Sequence, residues 1–386
     1  MVQRGLGVAT LAVGFIVAAP AYGAGPAAPA TAQQLPSPVT PVAVFGRDQR
    51  ALTPGRYRHL AGSLGLLFNN GSRTACSAFC VGSDTIATAA HCLFPVDGRR
   101  APPLKGFWFA RRYERNREVT RIAGWRTGSA SQFVMAGSMR LNIRPPIDAT
   151  RDWAFVRLER PVCRGRAFRV RSLKPRTLIK AARAKRIFQL AYHRDFANWR
   201  LAYSKPCRVS RNFRGASWST IARDFSNARD LILHMCDTGA ASSGSPILMD
   251  TPNGPVVIGI NVGTYVQSKV LMQNGRVTKR YKADSVANTG VNARAFADQL
   301  YAFRSARIIE TDRNMRLLQI ALQRRGLYLE AIDGLYGPAT NAAIRAYERR
   351  LGQPQTGLAT IKLLRQLGVQ SPRAYGSRSS QRTGFD

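Results

Sequence analysis

Residues 76–92 read Cys76-Ser-Ala-Phe-Cys-Val-Gly-Ser-Asp-Thr-Ile-Ala-Thr-Ala-Ala-His91-Cys92, an alternating, strand-like run that ends on a histidine among small residues. A histidine at a strand end, preceded by Ala89 and Ala90, leaves room for another side chain to approach its ring. A disulfide beside it would hold the turn still. A lone histidine is more often structural than catalytic. The pentapeptide Thr88–Cys92, with a further cysteine upstream, tips the reading towards chemistry.

A second stretch, Cys236-Asp-Thr-Gly-Ala-Ala-Ser-Ser-Gly-Ser-Pro246, crowds Ser242, Ser243 and Ser245 among small residues. Gly, Ser and Pro dominate ordinary turns, so this run reads as a surface turn or as the carrier of a nucleophile. A serine hydroxyl is a poor nucleophile unless a base takes its proton, which an imidazole within hydrogen-bond reach can do. The imidazole in turn needs a buried carboxylate to fix its tautomer and stabilise its charged form. Between His91 and the serines, Glu114, Glu118 and Glu159 sit among arginines, as solvated or ion-paired acids do. Asp148 is a plausible turn residue, and Asp152 stands immediately before the strand-like Trp153–Leu158.

The motif TAAHC (Thr88–Cys92) together with CDTGAASSGSP (Cys236–Pro246) resembles the chymotrypsin-fold serine proteases. Within them the chain is similar to the bacterial, glutamyl-endopeptidase-like branch, whose members read CSGTLIG, TAxHC and CDTxPGSSGSP. Cys76–Gly82 stands where CSGTLIG would, and Val44–Arg50 is similar to the start of that branch's mature domain. The resemblance covers about Val44 to Phe303, strong at the two motifs and weak between them. It implies His91 as general base, Asp152 as its orienting carboxylate with Asp148 as the fallback, and Ser243 as nucleophile. The backbone N–H groups of Ala241 and Ser243 would form the oxyanion hole.

The match carries departures. Ala241 stands where the family has glycine, and a Cβ tolerates positive φ poorly. Ser242 replaces the aspartate that pairs with a freshly cut N-terminus in the animal digestive enzymes. Asn261 and Gly263 lie on the segment Gly259–Thr264 that resembles the family's substrate-pairing strand, with Asn261 where the glutamyl enzymes carry a histidine. Asp237 lies where trypsin-like enzymes place a pocket acid, although the glutamyl branch has CDT there without basic specificity. The same resemblance pairs Cys76 with Cys92 and Cys207 with Cys236, leaving Cys80 and Cys163 as a third bridge or as free thiols. His59, His193 and His234 read as structural or surface residues.

Outward from these motifs, short apolar segments such as Gly62–Phe68, Thr85–Ala90, Arg186–Tyr192 and Val256–Tyr265 are cut by turn residues. That texture suggests an antiparallel sandwich or barrel, with a hairpin at Pro252–Gly254 and a closing helix over Ala293–Phe303. With the resemblance, the expected fold is mainly β: two antiparallel six-stranded β-barrels, chymotrypsin-like, plus a small C-terminal three-helix domain. In that domain apolar residues recur at three- and four-residue steps on either side of Asp333-Gly-Leu-Tyr-Gly-Pro338. From Asn314 to about Leu367 it resembles the peptidoglycan-binding domain of cell-wall hydrolases, which implies peptidoglycan as a partner.

The chain has 386 residues and a net charge of +37, so anionic partners are attracted to its surface. No nucleic-acid motif accompanies that charge, and membrane association is expected to be at most electrostatic. A basic start, an apolar run over Leu6–Ala19 and then small residues make 1–24 a secretory signal peptide. The remaining expected parts are an Ala/Pro-rich leader at 25–43, the protease domain at 44–305, the helical domain at 311–368 and a disordered tail at 369–386. Secretion or a periplasmic location follows. No cysteine pair has zinc-site spacing, so neither metal nor cofactor is expected. The expected activity is serine endopeptidase chemistry on a protein or peptide substrate. Two alternatives are a catalytically weak interaction protein on the same fold and a peptidase acting on the peptides of peptidoglycan.

Overall fold

The computed structural model describes residues 5–11, 43–94, 96, 103–115, 117–213, 216–273, 276–280 and 284–369. Most of the expected leader and the tail beyond 369 lie outside the described residues. The chain divides into two compact units, Met1–Arg304 and Ser305–Asp386.

Strands run in chain order as β1 (Gly5–Leu11), β2 (Arg50–Leu52), β3 (Leu64–Asn69), β4 (Thr74–Cys80), β5 (Thr85–Thr88), β6 (Trp108–Arg111), β7 (Glu118–Arg121), β8 (Val134–Ala136) and β9 (Ala154–Arg157). They continue as β10 (Ile187–Ala191), β11 (Ala202–Ser204), β12 (Leu231–His234), β13 (Pro246–Met249), β14 (Val256–Gln273), β15 (Arg276–Arg280) and β16 (Asp284–Asn292). One sheet has the order β7-β6-β3-β4-β5-β9-β8. The other has the order β12-β16-β14-β13-β10-β11-β2, with β1 and β15 both added along the long β14. All these named pairings are antiparallel.

This is a mainly β, chymotrypsin-like pair of half-barrels, with seven and nine strands among the described residues where six each were expected. Part of the excess has a plain cause. The segment after the leader adds β2 to the edge at β11, and β14 runs on beyond the body of the sheet to pair with β1 and β15. Gly5–Leu11, inside the expected signal peptide, supplies β1.

Two features of the packing position the site. First, β5 and β9 pair so that Thr88 faces Ala154. His91 follows the end of β5 and Asp152 precedes the start of β9, so antiparallel pairing brings both out at one edge. Second, Trp153 and Phe155 of that strand pack on Phe296 and Phe303, with ring centroids 5.1–6.1 Å apart across the cluster. Phe303 belongs to helix α3, and Phe296 immediately precedes it. The helices are α1 (Pro175–Arg183), α2 (Trp218–Arg223), α3 (Ala297–Ser305), α4 (Asp312–Gln323), α5 (Pro338–Arg350) and α6 (Ile361–Gln366). Phe155, Phe296 and Phe303 are fully buried, each contributing about 2 kcal/mol of burial. The strand behind Asp152 is thereby braced.

The second unit contains α4, α5 and α6, as the periodicity predicted. Thr311 and Thr360 cap α4 and α6 through side-chain oxygens, and Pro338 opens α5. Buried Gln319 holds the Asp333–Gly334 turn: its Nε2 donates to Asp333 Oδ1 at 2.7 Å, and its Oε1 accepts the Gly334 N–H at 2.8 Å. No helix among the described residues is long and apolar enough to cross a membrane.

Candidate active site

His91 sits in a single 3-10 turn, Ala90–Cys92, and Asp152 ends another, Ala149–Arg151. Asp152 is fully buried. Its Oδ2 lies 2.7 Å from His91 Nδ1 and its Oδ1 accepts the His91 backbone N–H at 2.9 Å. A carboxylate can only accept there, so Nδ1 carries the proton and Nε2 is left with its lone pair. The two-point attachment fixes both the ring and the backbone beneath it. Asp148, the fallback, is engaged elsewhere: its carboxylate accepts from Asn142 N and from the Ser226 hydroxyl.

Burial separates the three serines. Ser245 is fully buried and its Oγ accepts from Gln189 Nε2 at 2.7 Å. Ser242 is also buried, and its oxygens face Asn261 Nδ2 at 3.2 and 3.3 Å. Ser243 alone of the three is partly exposed.

The loop bearing Ser243 is tied to β4 and packs on the end of β5, the strand that leads to His91. Ser77 of β4 donates its N–H to the carbonyls of Ala241 and Ser243, at 2.8 and 2.9 Å. Its hydroxyl also reaches the Ala241 carbonyl at 3.0 Å and accepts the Tyr192 N–H at 2.9 Å. Gly244, at φ +82°, packs where a Cβ would collide with Thr88 Oγ1 and the Ser77 carbonyl and lie 2.9 Å from Ala89 N. Ser77 and Gly244 were not singled out in the sequence. The only signal was a small residue beside each motif, and the contact itself is long-range.

Ala241 has φ +74°, the left-handed conformation that its alanine identity made costly. Its own carbonyl accepts from Ser77, and the Ala240 carbonyl, opposite the Ala241 N–H in the same peptide group, accepts from Arg194 N at 2.8 Å. Among the described residues neither the Ala241 nor the Ser243 N–H donates within the protein, whereas those of Ser242, Gly244 and Ser245 do. These two donors, on either side of Ser242, thus make no hydrogen bond within the described residues.

Asn261 is buried rather than open to a ligand. Its Oδ1 faces His234 Nε2 at 3.1 Å, its Nδ2 faces Ser242, its N–H donates to Ser245 and its carbonyl accepts from Gly244. Gly263 is partly exposed on β14, opposite Thr289. Asp237 is buried, and its carboxylate accepts the N–H groups of Phe45 at 3.0 Å and Gln49 at 2.8 Å. The Thr238 N–H also donates to the Ala43 carbonyl at 3.2 Å. The start of the domain is therefore fastened to the residues that precede the serine loop.

The disulfides are Cys76–Cys92, Cys207–Cys236 and Cys80–Cys163, so the open alternative for the last two resolves as a bridge. His91 lies close to one bridge and His234 to another, but their cysteine sulfurs are engaged in disulfides and offer no thiolate to a metal. His193 and His234 are fully buried. Desolvation pushes their imidazoles down to about 3 and about 4, so both are neutral structural residues.

Residues 311–367 match the family model of a peptidoglycan binding domain. A solved structure of a Glu endopeptidase in complex with MPD is 16% identical, with 68% of this chain and 98% of that one covered and a TM-score of 0.39. A thermostable serine protease, AL20, from an extremophilic microorganism is 18% identical, with 64% and 98% covered and a TM-score of 0.41. No curated protein matches the sequence.

Proposed function

We propose that the chain is an exported serine endopeptidase that hydrolyses peptide bonds through an acyl-enzyme and is kept at the cell wall by its C-terminal domain. The observation that carries this reading is the buried Asp152–His91 pair at 2.7 Å, with the one partly exposed serine of the loop held by Ser77 of the neighbouring strand β4. Ser243 Oγ attacks the substrate carbonyl while His91 Nε2 takes its proton. Asp152 holds Nδ1 and stabilises the imidazolium. The oxyanion points at the free N–H groups of Ala241 and Ser243. His91 then protonates the leaving amine, and a water activated by the same nitrogen releases the acid.

Gly263, partly exposed on β14, pairs with the extended substrate backbone in this reading. The inward hydrogen bonds of Asn261 and Asp237 leave neither side chain to select a charged residue, which favours a broad side-chain preference. The peptidoglycan binding family match supports a second substrate reading, the peptides of peptidoglycan themselves.

Fluorophosphonate labelling tests the assignment. The wild-type chain is expected to be labelled on Ser243 and to digest casein, and Ser243→Ala to do neither while staying folded. Undiminished labelling of that variant would sink it. Soluble fragments released from purified sacculi without casein cleavage would favour the second substrate.

A further inference from the structure

We propose that a basic cavity of the second half-barrel binds a diphosphate-like group, that is, two phosphates held close together. The cavity is a recess of about 640 Å³ open to solvent, lined by exposed Ser172, Lys174, Arg176, Thr177 and Arg294 and partly exposed Arg211, with Leu173 and Pro175 between them. Four cations thus converge from three separate stretches: the segment entering α1, the loop before α2 and the turn after β16. None of them belongs to the site around His91, Asp152 and Ser243.

The floor is firmly held. Leu173 is buried in the core cluster with Leu178, Cys207 and Cys236, and its carbonyl accepts from Asn292 Nδ2 at 3.0 Å. One cation is steered before any ligand arrives, since the partly exposed Arg211 guanidinium lies 4.4 Å from the centre of the Trp218 ring, an attraction of about 0.5–1 kcal/mol. A preorganised cation loses little freedom on binding.

The charge balance selects the ligand. Arg294 has Asp230 at 3.9 Å. Lys174, Arg176 and Arg211 have no carboxylate within ion-pair distance among the described residues. Four lining cations less the one with a neighbouring acid leave three uncompensated in one recess, where like charges repel. A carboxylate ligand would balance one of them. Two phosphates held together carry one charge each as diesters and about −1.5 to −2 each as monoesters, so a pair balances two or all three of them. Arginine forks also match phosphate oxygens two at a time, and the hydroxyls of Ser172 and Thr177 can donate to the remaining oxygens. The volume leaves room for the group that carries the phosphates. A net charge of +37 attracts anions over the whole surface. The concavity and the steered Arg211 distinguish this site from that background.

The test is calorimetric titration of the full chain with inorganic pyrophosphate at about 0.15 M salt, where exposed charges are largely screened. One saturable site is expected. The double variant Lys174→Gln/Arg176→Gln should weaken it by about tenfold or more. Arg58→Gln/Arg164→Gln, which removes equal charge from exposed positions outside the cavity, should leave it within about twofold. Equal loss in both variants, absence of a saturable site, or orthophosphate binding as tightly as pyrophosphate would overturn the proposal. Cardiolipin vesicles separate the two sources of paired phosphates. Release of vesicle-bound protein by pyrophosphate identifies a lipid headgroup, and vesicle binding unaffected by a saturating amount identifies a soluble ligand.

Discussion

Gly244, the residue after Ser243, lies flat against Thr88, three residues before His91. The chain has no room for a Cβ there: it would strike Thr88 Oγ1 and the Ser77 carbonyl. We predict that Gly244→Ala separates the serine loop from the histidine strand. The obstruction includes backbone atoms and φ is +82°, so the clash cannot be relieved by a side-chain rotation. Turnover should fall by about a hundredfold or more, the scale on which small misplacements act. Circular dichroism and thermal unfolding should still report a folded chain. Near wild-type turnover would disprove the close approach.

Ala241 allows the opposite experiment. Its φ of +74° costs an L-residue about 1–2 kcal/mol, while glycine gives back part of that gain through its freer unfolded chain. Ala241→Gly is therefore predicted to stabilise by up to about 1 kcal/mol and to keep or raise kcat. Urea denaturation and steady-state kinetics check the two halves separately. A fall in kcat would mean that the alanine methyl itself contributes to the site.

Asp237 distinguishes a structural anchor from a specificity acid. Asp237→Asn turns one of its two acceptors into a donor facing a backbone N–H, at a cost of about 1–3 kcal/mol. The predicted result is a lower unfolding temperature, with the ratio of kcat/KM for Arg- and Leu-containing substrates unchanged. Collapse of that ratio would restore Asp237 as a pocket acid.

The pH dependence of stability should carry the mark of His234. Burial pushes its imidazole from the ordinary 6.5 down to about 4, against a smaller upward effect of the Asn261 hydrogen bond. Between those values the unfolded chain binds a proton that the folded chain refuses. The stability contributed by the neutral ring is complete above about pH 6.5 and is lost as pH falls through about 4. His234→Gln should flatten the urea-midpoint curve over that interval. Parallel curves for the two proteins would contradict it.

The parts of the site that were legible in the sequence are those set by a few adjacent residues. The run into His91 is a strand end, Asp152 precedes a strand, and Pro338 and Thr311 mark helix starts, all of them local patterns. The fastening between these pieces was not legible. Nothing near Ser77 announces that its N–H will serve two carbonyls across the interface between the sheets. Asp237 could be seen as an acid, but its partners Phe45 and Gln49 lie 192 and 188 residues away. Asn261 was placed by resemblance on its strand, but its buried partners His234 and Ser242 lie 27 and 19 residues away and left no local signal. Helix α1 was missed although Lys174-Pro175 and the buried Leu178, Ala181 and Ala182 carry a helical spacing; nine residues are a short window against strand-rich surroundings.

The bridge between Cys76 and Cys92 has a consequence for where the chain can be dangerous. Ser77, which holds the Ser243 loop, and His91, the proposed base, stand next to its two ends, so both proposed reacting groups are referenced to one covalent ring. That ring closes only where thiols are oxidised. A chain in a reducing compartment has every reacting atom but lacks their common frame. We predict that reduced protein is idle and that oxidation alone, without any cut in the chain, restores peptide hydrolysis. Toxicity to the cell that makes it would then be held back by redox environment.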